Sequence, residues 1–233
     1  MKTDAFSSPE PFIPDVGSSY SIGWELMKKF FLELLLLLVI SMAIQMPIQI
    51  MMKSFEIDVS AGTIFLGILG LALSILAGIP ISYGIDFVNL KLVRGEKFDV
   101  GDLFIGFREN YLNVVLSGIL VGAIVIAGFI LLIIPGIIFA IKLSFVPYLV
   151  IDKKLDAVEA VKTSWDMTTG HSGTLFLMFL LAIPIFLLGL ILLIVGIFPA
   201  IIWITAAFAA MYHAVDLRGN PPKENEETVL EVE

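Results

Sequence analysis

The residues most able to do chemistry in this chain are the few charges set inside long apolar runs. Asp86 closes a row spaced by four: Gly70, Ser74, Gly78, Ser82, Asp86. On a helix such a row winds slowly round the axis, and its small members let a crossing helix approach closely. An acid ending that row is expected to face protein rather than hydrocarbon, which makes it a functional candidate. The competing reading is an interfacial aspartate paired with Lys91 or Arg94. Lys142 is the second such charge. Nine residues separate it from Ile151, ~13 Å at helical rise, while Asp86 lies five residues before Lys91, ~7 Å. A lysine side chain spans that offset, so Asp86 and Lys142 are expected to meet in the bundle interior, directly or through water. The alternative for Lys142 is snorkelling to the interface or to a lipid phosphate.

A weaker polar cluster comprises His171, His213 and Asp216, the last two being three residues apart. Without cysteine, two or three such groups make a poor metal set. A capped or interface-facing histidine is the better reading, and neither metal nor cofactor is expected. Glu33, four residues after Lys29, reads as a helical ion pair at the interface. No Gly-rich phosphate loop, Gly-x-Ser-x-Gly elbow or His-Glu-x-x-His motif occurs. Ser164 has no base at a defined spacing. No catalytic residue is assigned, and the expectation is a non-enzymatic protein.

The elements that must position these residues are membrane helices. The chain has 233 residues, 58% hydrophobic and 15% charged, and no cysteine. Soluble domains carry roughly 45–50% apolar and about 25% charged residues. A hydrocarbon core of ~30 Å needs ~20 apolar residues per span. Six runs qualify: roughly 26–50, 62–90, 111–134, 136–151, 173–195 and 198–215. Pro135-Gly136 and Gly196-Ile197 read as the tight connections within the last two pairs. The fourth run is short, so it is expected to sit off-centre, to bend at Pro147 or to leave the outer leaflet to the third run. The fold class is therefore all-α, an integral membrane bundle of six transmembrane helices in three in-out-in hairpins. Residues 21–217 form that bundle. Residues 1–20, rich in Ser and Pro, and the acidic stretch 218–233 read as disordered tails.

Two amphipathic helices are expected on one membrane face. Phe98–Asn110 places Phe98, Leu103, Phe104 and Phe107 on an apolar side. Leu155–Thr169 does so with Leu155, Val158, Val161, Trp165 and Met167. Twelve of the 14 Lys and Arg residues fall on the side that holds both tails. The positive-inside rule thus predicts cytoplasmic termini in the cell inner membrane. The net charge of -8 is concentrated in the tails, with five Glu after Pro221, and no basic stripe for nucleic acid exists. The hairpins also look repeated. Gly23-Trp24-Glu25, Gly106-Phe107-Arg108 and Ser164-Trp165-Asp166 each put an aromatic at the entry of a helix pair. Residues 130–138 and 191–199 share an apolar pattern.

The run from Ile130 to Gly170, with Pro135-Gly136, Pro147, Asp152, Ala160, Ser164 and Gly170, resembles a prokaryotic family of polytopic membrane proteins of unknown function. It also resembles the membrane domain fused to some glycerophosphoryl diester phosphodiesterases. The resemblance covers roughly 23–215, implies a six-helix bundle and carries over no catalytic residue. The functional expectation is a scaffold, assembly or lipid-handling role in the envelope. Its partners would be the lipid bilayer and either another membrane protein or a second copy, not nucleic acid. The alternative is a small-solute or ion transporter using the region of Asp86 and Lys142.

Overall fold

The computed structural model describes residues 12–57, 60–191 and 194–219. All its elements are helical. They are α1 (Val16–Lys29), α2 (Phe31–Ile57), α3 (Ala61–Leu73), a π turn (Ser74–Gly78), α4 (Ile79–Val93), a 3-10 turn (Val100–Phe104), α5 (Ile105–Arg108), α6 (Tyr111–Leu131), α7 (Ile133–Lys142), α8 (Val146–Asp152), α9 (Ala157–Thr168), α10 (Ser172–Ile191) and α11 (Ile194–Gly219). Among the described residues six stretches are long and apolar enough to cross a membrane: Phe31–Lys53, Ala61–Val93, Tyr111–Leu131, Ile133–Asp152, Ser172–Ile191 and Gly196–Gly219. The chain is an all-α six-helix membrane bundle, as its composition predicts.

The core is concentrated at one end. Leu26, Leu90, Leu103, Phe145, Val150 and Tyr212 are fully buried there, beside the ion pairs of Arg94, Asp152, Lys153 and Asp216. We call this the charged end. At the other end the large apolar side chains point outward: Ile130 is 80% exposed and Ile191 75%. Exposure of that kind is what hydrocarbon covers in a spanning protein. The helices pair as α2 with α3, α6 with α7, and α10 with α11. Between pairs, the substantial contacts run through α4, α8 and α11; α2 and α3 make none of substance with α6, α7 or α10. The molecule is a packed base carrying three apolar hairpins that stand apart.

Proline chemistry shapes the spans. A proline lacks the N–H that would bond the carbonyl four residues earlier, and its ring crowds that carbonyl. Of the alternatives for the short fourth span, the structure shows the bend: the interruption falls just upstream of Pro147, at residues 143–145 between α7 and α8. The Lys142 carbonyl, freed there, accepts the Ser164 hydroxyl at 2.7 Å, and the Ser164 oxygen accepts the Phe145 N–H at 3.3 Å. Pro80 acts likewise on the second span. The π turn lies just before it, and the Leu76 carbonyl accepts the Tyr111 hydroxyl at 3.0 Å. Pro135-Gly136 is not the turn between spans. The chain reverses at Leu132, which is extended, and Pro135 sits in the first turn of α7, where a missing N–H costs nothing. Gly136 instead permits a close crossing, since a Cβ there would enter the Phe129 ring. Gly196-Ile197 is likewise helical, already inside α11. A Cβ on Gly189 would fall 2.6 Å from the Gly196 carbonyl oxygen.

The described part of the expected N-terminal tail is folded. Asp15 caps α1 by accepting the Ser18 N–H at 3.0 Å. Ser18, Ser19 and Tyr20 are buried, and the Tyr20 hydroxyl donates to the Met178 carbonyl at 2.8 Å. The buried face of α1 hides from an apolar count because serine and glycine share it with Ile22 and Leu26. At the other end, the stretch 218–233 begins as helix through Gly219, and 220–233 lie outside the described residues.

The amphipathic expectations are corrected in detail. Phe98–Asn110 is no single surface helix. It is the 3-10 turn plus α5, folded against α4, with Gly106 on the Pro80 backbone and Leu103 over Gly84. The second surface helix exists as α9, capped by Asp156. Its buried face is Ala157, Ala160, Ser164 and Thr168, while Val158 and Trp165 are exposed. Small residues win the inner face because α9 must approach the α7–α8 backbone closely enough for Ser164 to bond it.

These dockings expose the repeat. Each hairpin is preceded by an element that lies on the outgoing helix of another hairpin through one small residue. Gly23 meets the α11 backbone at Ala207, Gly106 meets α4 at Pro80, and Ser164 meets the junction of α7 and α8. The aromatic that follows each one points outward: Trp24 is 41% exposed, Phe107 39% and Trp165 39%.

Candidate functional site

Where the hairpins rise from the base they enclose a cleft of about 600 Å³. Its wall is drawn from α4, α6, α7, α8, α10 and α11, and each helix reaches it for a local reason. On α4, Ile79, Tyr83 and Asp86 fall on one face, three to four residues apart. On α6, Gly118 lets Ile79 of α4 pack against the helix, since a Cβ there would fall 2.6 Å from the Ile79 side chain, while Gly122 leaves room, a Cβ there meeting nothing within 4 Å. The break before Pro147 turns Ser144 and Tyr148 inward. Phe179, Thr205 and Phe208 close the far side.

The wall is apolar with a few polar groups, and most of those are already engaged. The Tyr83 hydroxyl lies 3.3 Å from the Ser117 hydroxyl. Ser144 donates to the Ile141 carbonyl at 2.8 Å, and Thr205 to the Ile201 carbonyl at 3.0 Å. Asp86 differs. No described residue gives it a hydrogen bond or an ion pair. The cations nearest in sequence are committed elsewhere: Lys91 to Asp102 at 2.8 Å, and Arg94 to Asp152. That removes the reading of Asp86 as an interfacial partner of either.

Lys142 does not join Asp86 by a direct contact. Its ammonium donates to the Thr169 hydroxyl at 2.8 Å and stands 5.5 Å from the centre of the Trp165 ring. The cause is helical phase. Ala140 faces the cleft, and two residues on, at about 100° each, Lys142 points the other way. The row Gly70, Ser74, Gly78, Ser82 does not lead a foreign helix to Asp86 either. Gly70 packs on Met51 and Met52 of the same hairpin, and Ser82 is exposed.

His171, His213 and Asp216 are not assembled into one cluster. His171 lies in the turn before α10, where partial burial and the charge of Arg218 hold it below its usual pKa. His213 is edge-on to Phe12, with ring centres 4.7 Å apart, and its Nδ1 is buried without a hydrogen bond. Asp216 accepts Lys153 at 2.9 Å. Among the described residues no group of three or more His, Cys, Asp or Glu could hold a metal ion. Glu33 is separated from Lys29 by the break at Phe30 between α1 and α2, so the two do not share one continuous helix. Glu33 instead lines a groove with Phe98 and Asp99.

The polar centre that sequence reasoning missed lies below the cleft. Arg94 gives both ends of its guanidinium to Asp152, at 2.5 and 2.8 Å, and reaches Asp216 at 3.8 Å. The Tyr212 hydroxyl donates to Asp152 at 3.1 Å, and its ring stacks on Tyr148 at 4.7 Å. A signal was present: Tyr-x-x-x-Asp occurs both at Tyr148 to Asp152 and at Tyr212 to Asp216. Through Arg94 the ends of α4, α8 and α11, one outgoing helix from each hairpin, are tied together.

No protein-family model, curated protein or solved structure matches this chain. The class it belongs to is therefore given by its own geometry, a multi-pass helical membrane protein with a cleft between its hairpins.

Proposed function

We propose that this protein handles lipid: it is a non-enzymatic, multi-pass protein of the cytoplasmic membrane that holds a bilayer amphiphile in the cleft between its hairpins. The observation that carries this reading is the cleft itself, about 600 Å³ with a mostly apolar wall, at the root of hairpins that stand apart in the bilayer. That volume is within the ~300–1,000 Å³ usual for small-molecule sites. Lipid is the solvent around the hairpins, so a lipid chain is the occupant at hand. The non-enzymatic part rests on the hydroxyls in and beside the cleft. Ser117, Ser144 and Thr205 donate to backbone carbonyls three or four residues earlier, and among the described residues no histidine lines the wall to activate them. The excess of Lys and Arg at the charged end supports a cytoplasmic placement for that end and both termini. The resemblance to the membrane domain of glycerophosphoryl diester phosphodiesterases fits such a role and remains part of this proposal.

The test is purification into lipid discs or mild detergent with mass spectrometry of bound lipids. Gly122→Trp is the diagnostic variant, because its side chain enters open space in the cleft. We expect a lipid that co-purifies with the unaltered protein and is lost with Gly122→Trp while thermal stability is kept. One observation favours transport instead: Asp86 faces the cleft without a partner, as a carboxylate in a transport path would. Lipid-free protein that moved a solute across liposomes, and lost that flux with Asp86→Asn, would replace the lipid reading.

A further inference from the structure

We propose that the cleft is selective for an amphiphile bearing a positively charged amine, whose ammonium group is held by Asp86 and whose chain lies along the apolar wall. This rests on the lipid-binding reading above and names the class of lipid or lipid-like molecule.

The argument begins with what the wall offers. Burying a carboxylate in apolar surroundings is costly unless a counter-charge or hydrogen bonds compensate it. Here neither comes from the described residues. Lys91 and Arg94 are spent on Asp102 and Asp152, and Lys142 is turned to Thr169. Tyr83 meets Ser117, while Ser144 and Thr205 donate to carbonyls. The described wall therefore presents one carboxyl group without a counter-charge, and an ammonium ion brought beside it favours its ionised form. It also presents aromatic rings: Tyr83, Tyr148, Phe179 and Phe208 line the same space. Ring faces attract ammonium groups, more strongly where water is excluded. A carboxylate among aromatic rings is the chemistry that recognises an organic ammonium ion. The converse also holds. Among the described residues no lysine or arginine lines the cleft, so a fatty acid or an anionic headgroup would find no counter-charge there and would be repelled by an ionised Asp86.

The experiment uses the full chain in phosphatidylcholine nanodiscs, with saturable binding of hexadecylamine, hexadecanol and hexadecanoic acid measured for each variant. Hexadecylamine is expected to bind at least tenfold more tightly than hexadecanol, and hexadecanoic acid more weakly than both. Asp86→Asn should bring the amine down to the level of the alcohol, and Asp86→Glu should keep the preference. Equal affinity for amine and alcohol in the unaltered protein overturns the proposal, as does a preference that survives Asp86→Asn. This comparison in the unaltered protein decides the matter even if a variant fails to fold. In the equal-affinity case saturable alcohol binding, abolished by Gly122→Trp, leaves the lipid reading standing and only the amine assignment falls. If no probe binds saturably, both fall.

Discussion

Arg94, at the end of α4, and Asp152, at the end of α8, are joined by two parallel hydrogen bonds. The pair links the first hairpin to the second, and the contact of Arg94 with Asp216 brings in the third. Removing one partner of a buried pair leaves an uncompensated charge and costs ~3–5 kcal/mol. The side chains here are 21% and 11% exposed, so the lower part of that range, about 3 kcal/mol, is expected for Arg94→Ala. Arg94→Lys should recover little, because a lysine cannot reproduce the two-pronged geometry. Thermal unfolding in detergent measures both. A Lys variant as stable as the original would show that charge alone suffices at this point.

The glycines at the docking points yield a second prediction. A Cβ on Gly84 would overlap the Leu103 carbonyl, and one on Gly23 would lie 2.8 Å from the Ala207 nitrogen. Backbone cannot give way cheaply, so Gly84→Ala and Gly23→Ala should each cost ~1–3 kcal/mol or more. Gly173, in the first turn of α10, has nothing within 4 Å, and Gly173→Ala should be neutral or raise stability by about 0.5–1 kcal/mol. The same unfolding assay ranks all three. Tolerance of alanine at Gly84 would contradict the docking of the Leu103 turn on α4.

A third prediction concerns Asp86 and Lys142, which sequence reasoning pairs and the structure keeps on opposite sides of α7. Asp86→Ala and Lys142→Met should act independently. Their combined effect on stability should equal the sum within about 0.5 kcal/mol. A larger coupling in the double-mutant cycle would mean that a water-bridged contact joins them after all.

The six spans were legible because a spanning helix advertises itself by length and apolar content, both of which a linear reading counts. The base was not. Three of the seven buried residues of α1 are serine or glycine, and the buried face of α9 is Ala157, Ala160, Ser164 and Thr168, so neither shows as a continuous apolar stripe. Both helices are held by close backbone approach, for which small residues are the signature and hydrophobicity is not. The cleft was hidden for another reason. Asp86 was singled out by its type, but its partners in the wall come from five other helices, and no local pattern brings Tyr148 or Phe208 to it. In the sequence Asp152 is one of three adjacent charges, with Lys153 and Lys154. Only folding shows that it faces inward to Arg94 while Lys154 turns out to Glu109.

The last prediction tests orientation. The chain has no cysteine, so single introduced cysteines report on sidedness without background. Ser60 begins the second span by capping α3 at the apolar end, where its hydroxyl accepts the Thr63 N–H at 3.3 Å. Lys154 is exposed at the charged end, in the turn between α8 and α9. Ser7 lies outside the described residues, on the N-terminal side of α1. If the basic end faces the cytoplasm, Ser60→Cys should react with a membrane-impermeant maleimide added to intact cells. Lys154→Cys and Ser7→Cys should react only after the cells are opened. Each substitution alters one exposed or terminal side chain, so loss of folding should not confuse the result. Labelling of Ser7→Cys from outside intact cells would invert the orientation. Labelling of Ser60→Cys and Lys154→Cys from the same side would mean that the second, third and fourth spans do not cross as a continuous series, and the six-span topology would fail.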